Sequence, residues 1–212
     1  MKKSIFLTVF LAVAFSVFAQ DEDLRYREPG EFKTIFGGKT IGGYGGIGVG
    51  YTIIEDRPGV TFDARGGVIM GHCFALGIGG SGFVNTSEYV LADNTDISLA
   101  GGYGGLFGEF ILFPRSQVHL SFPVLVGLGA IAATSLVGDP ANYDYQSNVE
   151  QTSVFMIVEP AAELEFNFTR FFRLSGYFSY RYTTNIEMNE LYASPDALNN
   201  YSVGMRIKFG KF

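Results

Sequence analysis

The feature that most constrains this chain is a strict alternation of apolar and polar side chains over long segments. In residues 201–209, Tyr, Val, Met, Ile and Phe hold the odd positions, and Ser, Gly, Arg and Lys hold the even ones. Residues 158–166 and 173–182 show similar patterns. A two-residue period places successive side chains on opposite faces of a β-strand. The alternation therefore predicts strands that each have one apolar and one polar face.

The alternation extends to eight segments, all at least as long as the roughly 9–11 residues that a tilted strand needs to cross a bilayer. An even number of strands returns both chain ends to the same side. The sequence thus predicts an all-β fold: an eight-stranded antiparallel up-and-down transmembrane β-barrel. Its strands are expected at 41–54, 59–70, 74–84, 98–113, 118–131, 152–166, 171–183 and 198–209.

The connections between these strands alternate in length. Tight turns are predicted at 71–73, 114–117 and 167–170. The remaining connections, one short and three long, are predicted at 55–58, 85–97, 132–151 and 184–197. Short periplasmic turns with longer outer loops are typical of outer-membrane barrels.

Composition limits the alternatives. Glycine, which is costly inside helices, contributes 28 of 212 residues, so a helical bundle is disfavoured. A soluble barrel or sandwich would bury the apolar faces, and a helix through residues 124–137 would be shorter than a membrane span. The polar faces instead carry compact pairs of opposite charge, while the apolar faces run the full strand length. That arrangement favours a lipid-facing exterior and a polar interior.

The N-terminus has the form of a secretory signal. Lys2 and Lys3 precede an apolar stretch at 5–18, which ends in a small residue at Ala19. The stretch is too short for a spanning anchor, and no cysteine stands directly after it to carry a lipid. We expect a signal peptide at 1–19, a periplasmic segment at 20–40, a barrel at 41–212 and localisation in the cell outer membrane.

The inward face is predicted to carry ionisable side chains of both signs. An eight-stranded barrel is just wide enough for side chains to fill it, and buried charges need partners. The preferred interpretation is a structural, salt-bridged plug; the alternative is a narrow ion or solute path lined by the same charges. The predicted interior polar network comprises Asp63, Arg65, Glu109, His119, Glu159, Glu163, Glu165, Arg173, Arg181, Arg206 and Lys208, with Tyr44, Tyr103 and Tyr177 also inward.

No catalytic, cofactor or metal site is predicted, and the protein is not expected to be an enzyme. Outer-leaflet lipid-modifying enzymes of this size use a histidine near the external rim, whereas His72 and His119 fall at the predicted periplasmic end. His72 and Cys73 would give a metal only two ligands. The glycine-rich run at 77–82 lacks the lysine and the following helix of a phosphate-binding loop.

The predicted outer connections are strongly acidic. Their only basic residue is Arg57, and their acids are Glu55, Asp56, Glu88, Asp93, Asp96, Asp139, Asp144, Glu150, Glu187, Glu190 and Asp196. The net charge of −6 argues against nucleic acid as a partner. The rim is interpreted as a solvated surface, or as one that recruits divalent cations and bridges to lipopolysaccharide. No loop has the spacing of an EF-hand.

Taken together, the signal-like start, the eight alternating segments and the terminal phenylalanine resemble the small OmpA/OmpX-type outer-membrane barrels. The run "GGYGGLFGEF" at 101–110 and the ending "KFGKF" resemble a Bacteroidetes-type branch of that family. The resemblance implies insertion by the barrel-assembly machinery through the C-terminal strand. One departure is that Phe212 is out of phase with Val203, Met205, Ile207 and Phe209. Either Gly210 allows a bulge, or Phe209 is the last outward aromatic residue.

Overall fold

The described part of the chain consists of β-strands joined by turns and loops. The structure, a computed structural model, describes residues 41–85, 89–90, 96–114, 116–139, 144–189 and 191–212. None of these residues belongs to a helix that is long and apolar enough to cross a membrane. The strands are β1 Ile41–Ile54, β2 Arg57–Met70, β3 Phe74–Asn85, β4 Tyr89–Val90, β5 Asp96–Leu112, β6 Val118–Asp139, β7 Asp144–Asn167, β8 Phe172–Tyr180, β9 Tyr182–Thr183 and β10 Tyr201–Lys211.

The eight long strands form a closed antiparallel ring. Each of them pairs with two neighbours, in the order β1, β2, β3, β5, β6, β7, β8, β10 and back to β1. The pairing of β1 with β10 closes the ring in continuous register from Gly43↔Lys211 to Thr52↔Ser202. The two-residue strands β4 and β9 only extend the edges of β5 and β7. The all-β, eight-stranded antiparallel barrel predicted from the alternation is confirmed.

Alternation along the strands separates an apolar exterior from a polar interior. Bulky aliphatic side chains point outward along the middle of the ring, and Ile78 and Val154 are 68% and 70% exposed. A continuous apolar surface of this kind needs a non-aqueous environment. A closed barrel satisfies every strand's backbone groups within the ring, which is what a bilayer requires. The turns at 71–73 and 168–171, together with the described residues 113, 114, 116 and 117 between β5 and β6, define one end of the barrel, here called the turn end; the opposite end is called the loop end.

Apart from the end of β6 and the start of β7, the strand ends lie within three residues of the predicted bounds. β8, for example, stops at Tyr180 and is followed by Arg181 outside the ladder. The predicted connection at 55–58 shortens to Glu55 and Asp56, which both have positive φ, as a two-residue hairpin turn requires. The other observed bounds that differ are a start at 57 where 59 was predicted, an end at 85 where 84 was predicted, a strand at 96–112 where 98–113 was predicted, an end at 167 where 166 was predicted, a start at 172 where 171 was predicted, and a strand at 201–211 where 198–209 was predicted.

The expectation of a long loop at 132–151 is wrong. β6 continues through Asp139 and β7 begins at Asp144, so the two strands form a hairpin that stays paired beyond the ring. One irregularity in register lies between Ala133 and Thr134. Once two antiparallel strands are aligned, each further pair of residues adds to the hydrogen-bonded ladder without a new cost for bringing the strands together. Pro140, which lacks a backbone N–H, follows β6 in the sequence.

The long connection predicted at 184–197 is present and its acids Glu187 and Asp196 are exposed, but the segment is not wholly solvated. Residues between β9 and β10 turn into the loop end of the barrel, where Ile186, Ala193 and Leu198 are buried. A backbone bond from Glu55 N to Ala197 O (2.9 Å) anchors this segment to the turn between β1 and β2, and one from Ile186 N to Pro195 O (3.1 Å) joins its two arms. Burial of these apolar side chains, against residues such as Ile54, Phe83, Leu99, Ile131 and Phe155, stabilises the inward position. We call residues 184–200 the plug segment.

The departure at the C-terminus is resolved by the register. The ladder between β1 and β10 runs through Gly210 without a bulge, so Phe209 is the last outward aromatic residue and is 56% exposed. Gly210 is required there because a Cβ would lie 2.2 Å from Gly43 O. Phe212, two residues on, shares the inward phase and packs against Tyr44 with ring centroids 6.0 Å apart. The predicted signal peptide at 1–19 and periplasmic segment at 20–40 lie outside the described residues.

Close approach of the strands predicts which glycines can be substituted. A Cβ on Gly77 would lie 2.1 Å from Gly66 O and 2.5 Å from Gly67 Cα, so Gly77→Ala must push two backbones apart. We expect a loss of about 1–3 kcal/mol in the free energy of unfolding, measured by urea titration of the barrel in lipid vesicles. Gly176→Ala is the control, because its Cβ would meet nothing within 4 Å. Equal stability of the two variants would contradict the packing described here.

Candidate functional site

The centre of the barrel interior is a lysine surrounded by three carboxylates. Lys208 on β10 points inward, and its Nζ lies 2.7 Å from Glu109 Oε1, 2.9 Å from Glu163 Oε2 and 2.6 Å from Glu165 Oε1. All four side chains are buried. Strand alternation places them there, because Glu163 and Glu165 share the inward phase of β7 while Glu109 comes from β5 across the lumen. We call this group the lysine centre.

Two arginines extend the lysine centre towards β2. Arg206, two residues before Lys208 on the same face, donates a hydrogen bond to Glu163, and its Nε lies 2.6 Å from Asp63 Oδ1. Arg65, also on β2, places Nη1 2.9 Å from Glu163 Oε1. Glu163 therefore pairs with three cations, and the interaction joins β2, β7 and β10. Each buried charge here has an opposite charge within hydrogen-bonding distance, as a low-dielectric interior demands.

His119 and Arg173 extend the lysine centre towards the turn end. Both pair with Glu165 Oε2, from His119 Nε2 at 2.8 Å and from Arg173 Nη1 at 3.4 Å. The second oxygen of Glu165 accepts a hydrogen bond from Ser121 Oγ at 2.7 Å. The Arg173 guanidinium also stacks on the Phe212 ring, 3.7 Å from its centroid. Phe212 thus covers the charged interior at the turn end.

Two inward tyrosines donate hydrogen bonds to the carboxylates, and a third stacks on a guanidinium group. Tyr44 donates a hydrogen bond to Glu109, and its ring lies 5.0 Å from Lys208 Nζ. Tyr103 donates a hydrogen bond to Glu159 Oε2 at 2.8 Å. Tyr177 stacks its ring against the Arg206 guanidinium at 4.4 Å. An aromatic face next to a cation adds favourable electrostatic interaction without adding charge.

Glu159 and Arg181 are separate from the lysine centre. Glu159 is bonded by Tyr103 and by Ser179 Oγ at 2.7 Å. Arg181 is fully buried near the plug segment and donates hydrogen bonds to Thr52 Oγ1 and, at 3.1 Å, to Ile53 O. Within the described residues no carboxylate lies within salt-bridge distance of Arg181. The structure therefore brings nine members of the predicted set together and holds these two apart.

Leaving His119 aside, the charges of the predicted set balance. The set contains five carboxylates and five Lys or Arg side chains. The side-chain oxygens of Glu109, Glu163 and Glu165 lie close enough together to hold a metal ion, but the Lys208 ammonium bonds to all three carboxylates. The arrangement therefore binds its own internal cation. The carboxylates are Asp63, Glu109, Glu159, Glu163 and Glu165, and the cations are Arg65, Arg173, Arg181, Arg206 and Lys208.

The sequence analysis did not identify the small hydroxyl side chains of the interior. It also did not identify the two elements that close the interior, Phe212 at the turn end and the plug segment at the loop end. Thr52, Ser121 and Ser179 each bond to a charged member of the network, and each shares the inward phase of its strand. The inward phase could have identified them, because a hydroxyl side chain on the same strand face as the interior charges points away from the lipid. The inward packing of Phe212 and the burial of the plug segment had no periodic signal. His72 and Cys73 lie in the exposed turn at 71–73, away from this network.

Comparison with known proteins supports the fold. Neither a protein-family model nor a curated protein matches the chain. Among solved structures, Neisserial surface protein A matches with a TM-score of 0.53 at 12% identity, over 81% of this chain and 97% of that one. The N-terminal β-barrel domain of Pseudomonas aeruginosa OprF matches at 12% identity over 81% of this chain and 98% of that one, with a TM-score of 0.45. The fold is that of small eight-stranded outer-membrane β-barrels of the OmpA/OmpX type.

The lysine centre predicts a large cost for removing its cation. Lys208→Met leaves three buried carboxylates facing one another, and we expect a loss of about 3–5 kcal/mol in the free energy of unfolding in lipid vesicles. Lys211→Met, on the same strand but exposed, is the control and should change stability by less than about 0.5 kcal/mol. Adding Glu109→Gln to Lys208→Met should recover part of the loss. Equal stability of the two lysine variants would contradict the conclusion that Lys208 neutralises three buried carboxylates.

Proposed function

We propose that this protein is a non-enzymatic outer-membrane barrel with a closed polar interior, which presents acidic loops at the cell surface. The observation that carries the proposal is the interior itself, where paired charges fill the lumen between Phe212 and the plug segment. In this role the barrel serves membrane integrity or surface interaction. The apolar exterior and the signal-like N-terminus support localisation in the outer membrane.

The charge network supports a closed barrel over a narrow channel. An ion crossing the lumen would have to break the contacts of Lys208 or Arg206, each of which bonds to at least two carboxylates. Separating a buried ion pair costs several kcal/mol. The plug segment adds a second barrier, because Ile186 and Leu198 offer no polar group to a permeating ion.

The positions of the histidines support a role without catalysis. His119 lies near the turn end, buried, with Nε2 bonded to Glu165. His72 lies in an exposed turn at the same end. An outer-leaflet lipid-modifying enzyme would need its general base at the loop end, where lipopolysaccharide is found. Lipid turnover that survives replacement of both histidines would contradict a non-enzymatic role.

β10 has the features expected of a strand recognised by the barrel-assembly machinery. Its outward face ends in Phe209, whose ring packs 5.3 Å from that of Phe172. We propose that this aromatic residue, and not Phe212, forms part of the assembly signal, because only Phe209 is accessible from outside the barrel wall.

The acidic loop end is proposed to recruit divalent cations, which would bridge it to lipopolysaccharide phosphates. The register of the β6–β7 hairpin sets Asp139 directly opposite Asp144. Like charges in directly opposed positions destabilise a strand pair unless a cation lies near. Glu55 is not available for this role, because it accepts two hydrogen bonds of 2.9 Å from Ser194.

A closed interior predicts no conductance. Purified protein inserted into planar lipid bilayers should give no reproducible openings, because no continuous aqueous path crosses the lysine centre. Lys208→Met combined with Leu198→Asp weakens both barriers and should raise the frequency of openings. Reproducible openings of the unaltered protein that disappear in Arg173→Gln or Arg181→Gln would show a charge-lined channel and contradict the proposal.

Cation recruitment predicts a local response to calcium. Hydrogen exchange of the β6–β7 hairpin should slow when calcium is added, because the ion offsets repulsion between Asp139 and Asp144. The double variant Asp139→Asn, Asp144→Asn should lose the response, while the control Asp196→Asn, in the plug segment, should keep it. An exchange rate that is unaffected by calcium would exclude this site.

A further inference from the structure

The turn end carries exposed cations that have no role in the charged interior. Arg170, in the turn between β7 and β8, and Lys211, at the end of β10, are both exposed. Neither has an ion-pair partner among the described residues. A third cation, Arg173, belongs to the interior, where its Nη1 pairs with Glu165; it is 9% exposed, and its Nε is buried without a hydrogen-bond partner. Among the described residues, the exposed charges of the turn end are therefore basic, unlike those of the loop end.

These three cations line one open pocket. Ser116, Gln117, Asn167 and Thr169 add hydrogen-bonding groups, and none of the described residues that form its wall has an acidic side chain. Backbone bonds hold the turn in place, from Thr169 N to Phe172 O at 3.2 Å and from Gly210 N to Phe171 O at 3.0 Å. A fixed concave site with several cations and hydroxyl or amide donors matches the chemistry of a phosphate group.

Aromatic side chains surround the same pocket on its outer side. Phe168 and Phe171 both line it and are 63% and 67% exposed. Phe168 packs on Phe172 at 5.7 Å, and Phe172 packs on Phe209 at 5.3 Å, so the aromatic surface continues from the turn onto the outward face of β10. Aromatic belts mark the level at which a barrel meets the lipid headgroups. The pocket therefore lies at headgroup depth.

We propose that this pocket binds the phosphate headgroup of an anionic phospholipid in the membrane leaflet at the turn end. Arg170 and Lys211 would bind the phosphate, Thr169 and Ser116 would contribute hydrogen bonds, and the acyl chains would lie along Phe171 and Phe209. The inference rests on the proposed function in one respect, which is that the barrel spans a bilayer. It adds a specific lipid and an orientation, because the acidic loop end would repel the same headgroup.

The phospholipid is favoured over a free anion because the pocket is polar on one side and apolar on the other. A soluble phosphate would gain nothing from the exposed Phe168 and Phe171. A lipid contacts both the polar and the apolar side of the pocket, since its charged headgroup and its acyl chains point in opposite directions. Displacement by inorganic phosphate distinguishes the two ligands: it is expected if the pocket binds a free anion and not if it binds a phospholipid.

The absence of tryptophan from the chain allows a direct test. Phe171→Trp puts a single fluorophore at the pocket, and Phe178→Trp puts one on the outward face near the loop end as the control. Each variant is inserted into phosphatidylcholine vesicles that contain a brominated lipid, either phosphatidylglycerol or phosphatidylcholine, and quenching gives the relative affinity of the two lipids. We expect a preference of several-fold for phosphatidylglycerol in F171W and none in F178W.

Charge variants then test the pocket residues. In the F171W background, Arg170→Gln and Lys211→Gln should each lower the preference for phosphatidylglycerol by about five-fold, or abolish it if the starting preference is less than about five-fold. The control Arg57→Gln, at the loop end, should leave the preference unchanged. Any of four results would overturn the proposal. The preference for phosphatidylglycerol could be absent, or equally strong in F178W. It could also be insensitive to both substitutions, or be lost when inorganic phosphate is added. A heat-shifted band on an unboiled gel verifies folding in each case. Failure to insert would overturn the proposed function as well, whereas insertion without lipid preference would overturn the lipid site alone.

Discussion

The rest of this structure depends on the contact of one ammonium group with three buried carboxylates. Lys208 joins Glu109, Glu163 and Glu165, and so connects β10 to β5 and β7 through the lumen. The interior also contains a buried apolar cluster, which the plug segment joins. The ionisable side chains beside it are stabilised by charge pairing in a low dielectric, where each unpaired charge is costly. Tyrosine rings and hydroxyls fill the space that remains.

Most of the barrel could be predicted because its environment imposes a two-residue period. The same alternation that placed Ile207 outside placed Arg206 and Lys208 inside, so both the strands and the inward charges followed from one pattern. The pairing within the interior was less predictable. Glu109 and Lys208 are 99 residues apart, and only the closure of the ring and the tilt of the strands determine that they meet.

The elements that could not be predicted lie where the bilayer no longer imposes that period. β6 and β7 continue beyond the ring because backbone pairing extends a hairpin without regard to side-chain pattern. The plug segment contains acids at Glu187 and Asp196, which suggested a solvated rim, yet its spaced apolar residues, among them Ile186 and Leu198, turn inward and are buried. A segment with neither helical nor strand periodicity gives no indication of which side chains it buries.

Coupling between Arg206 and Glu163 tests the central claim most directly, because these residues lie on different strands and bond only through the lumen. The free energy of unfolding in lipid vesicles would be measured for Arg206→Met, Glu163→Gln and the double variant. A mutually paired interior predicts that the double variant loses less than the sum of the single losses, with a coupling energy of at least about 1 kcal/mol. A coupling energy indistinguishable from zero would contradict the account, because it would mean that the interior charges are held independently of one another.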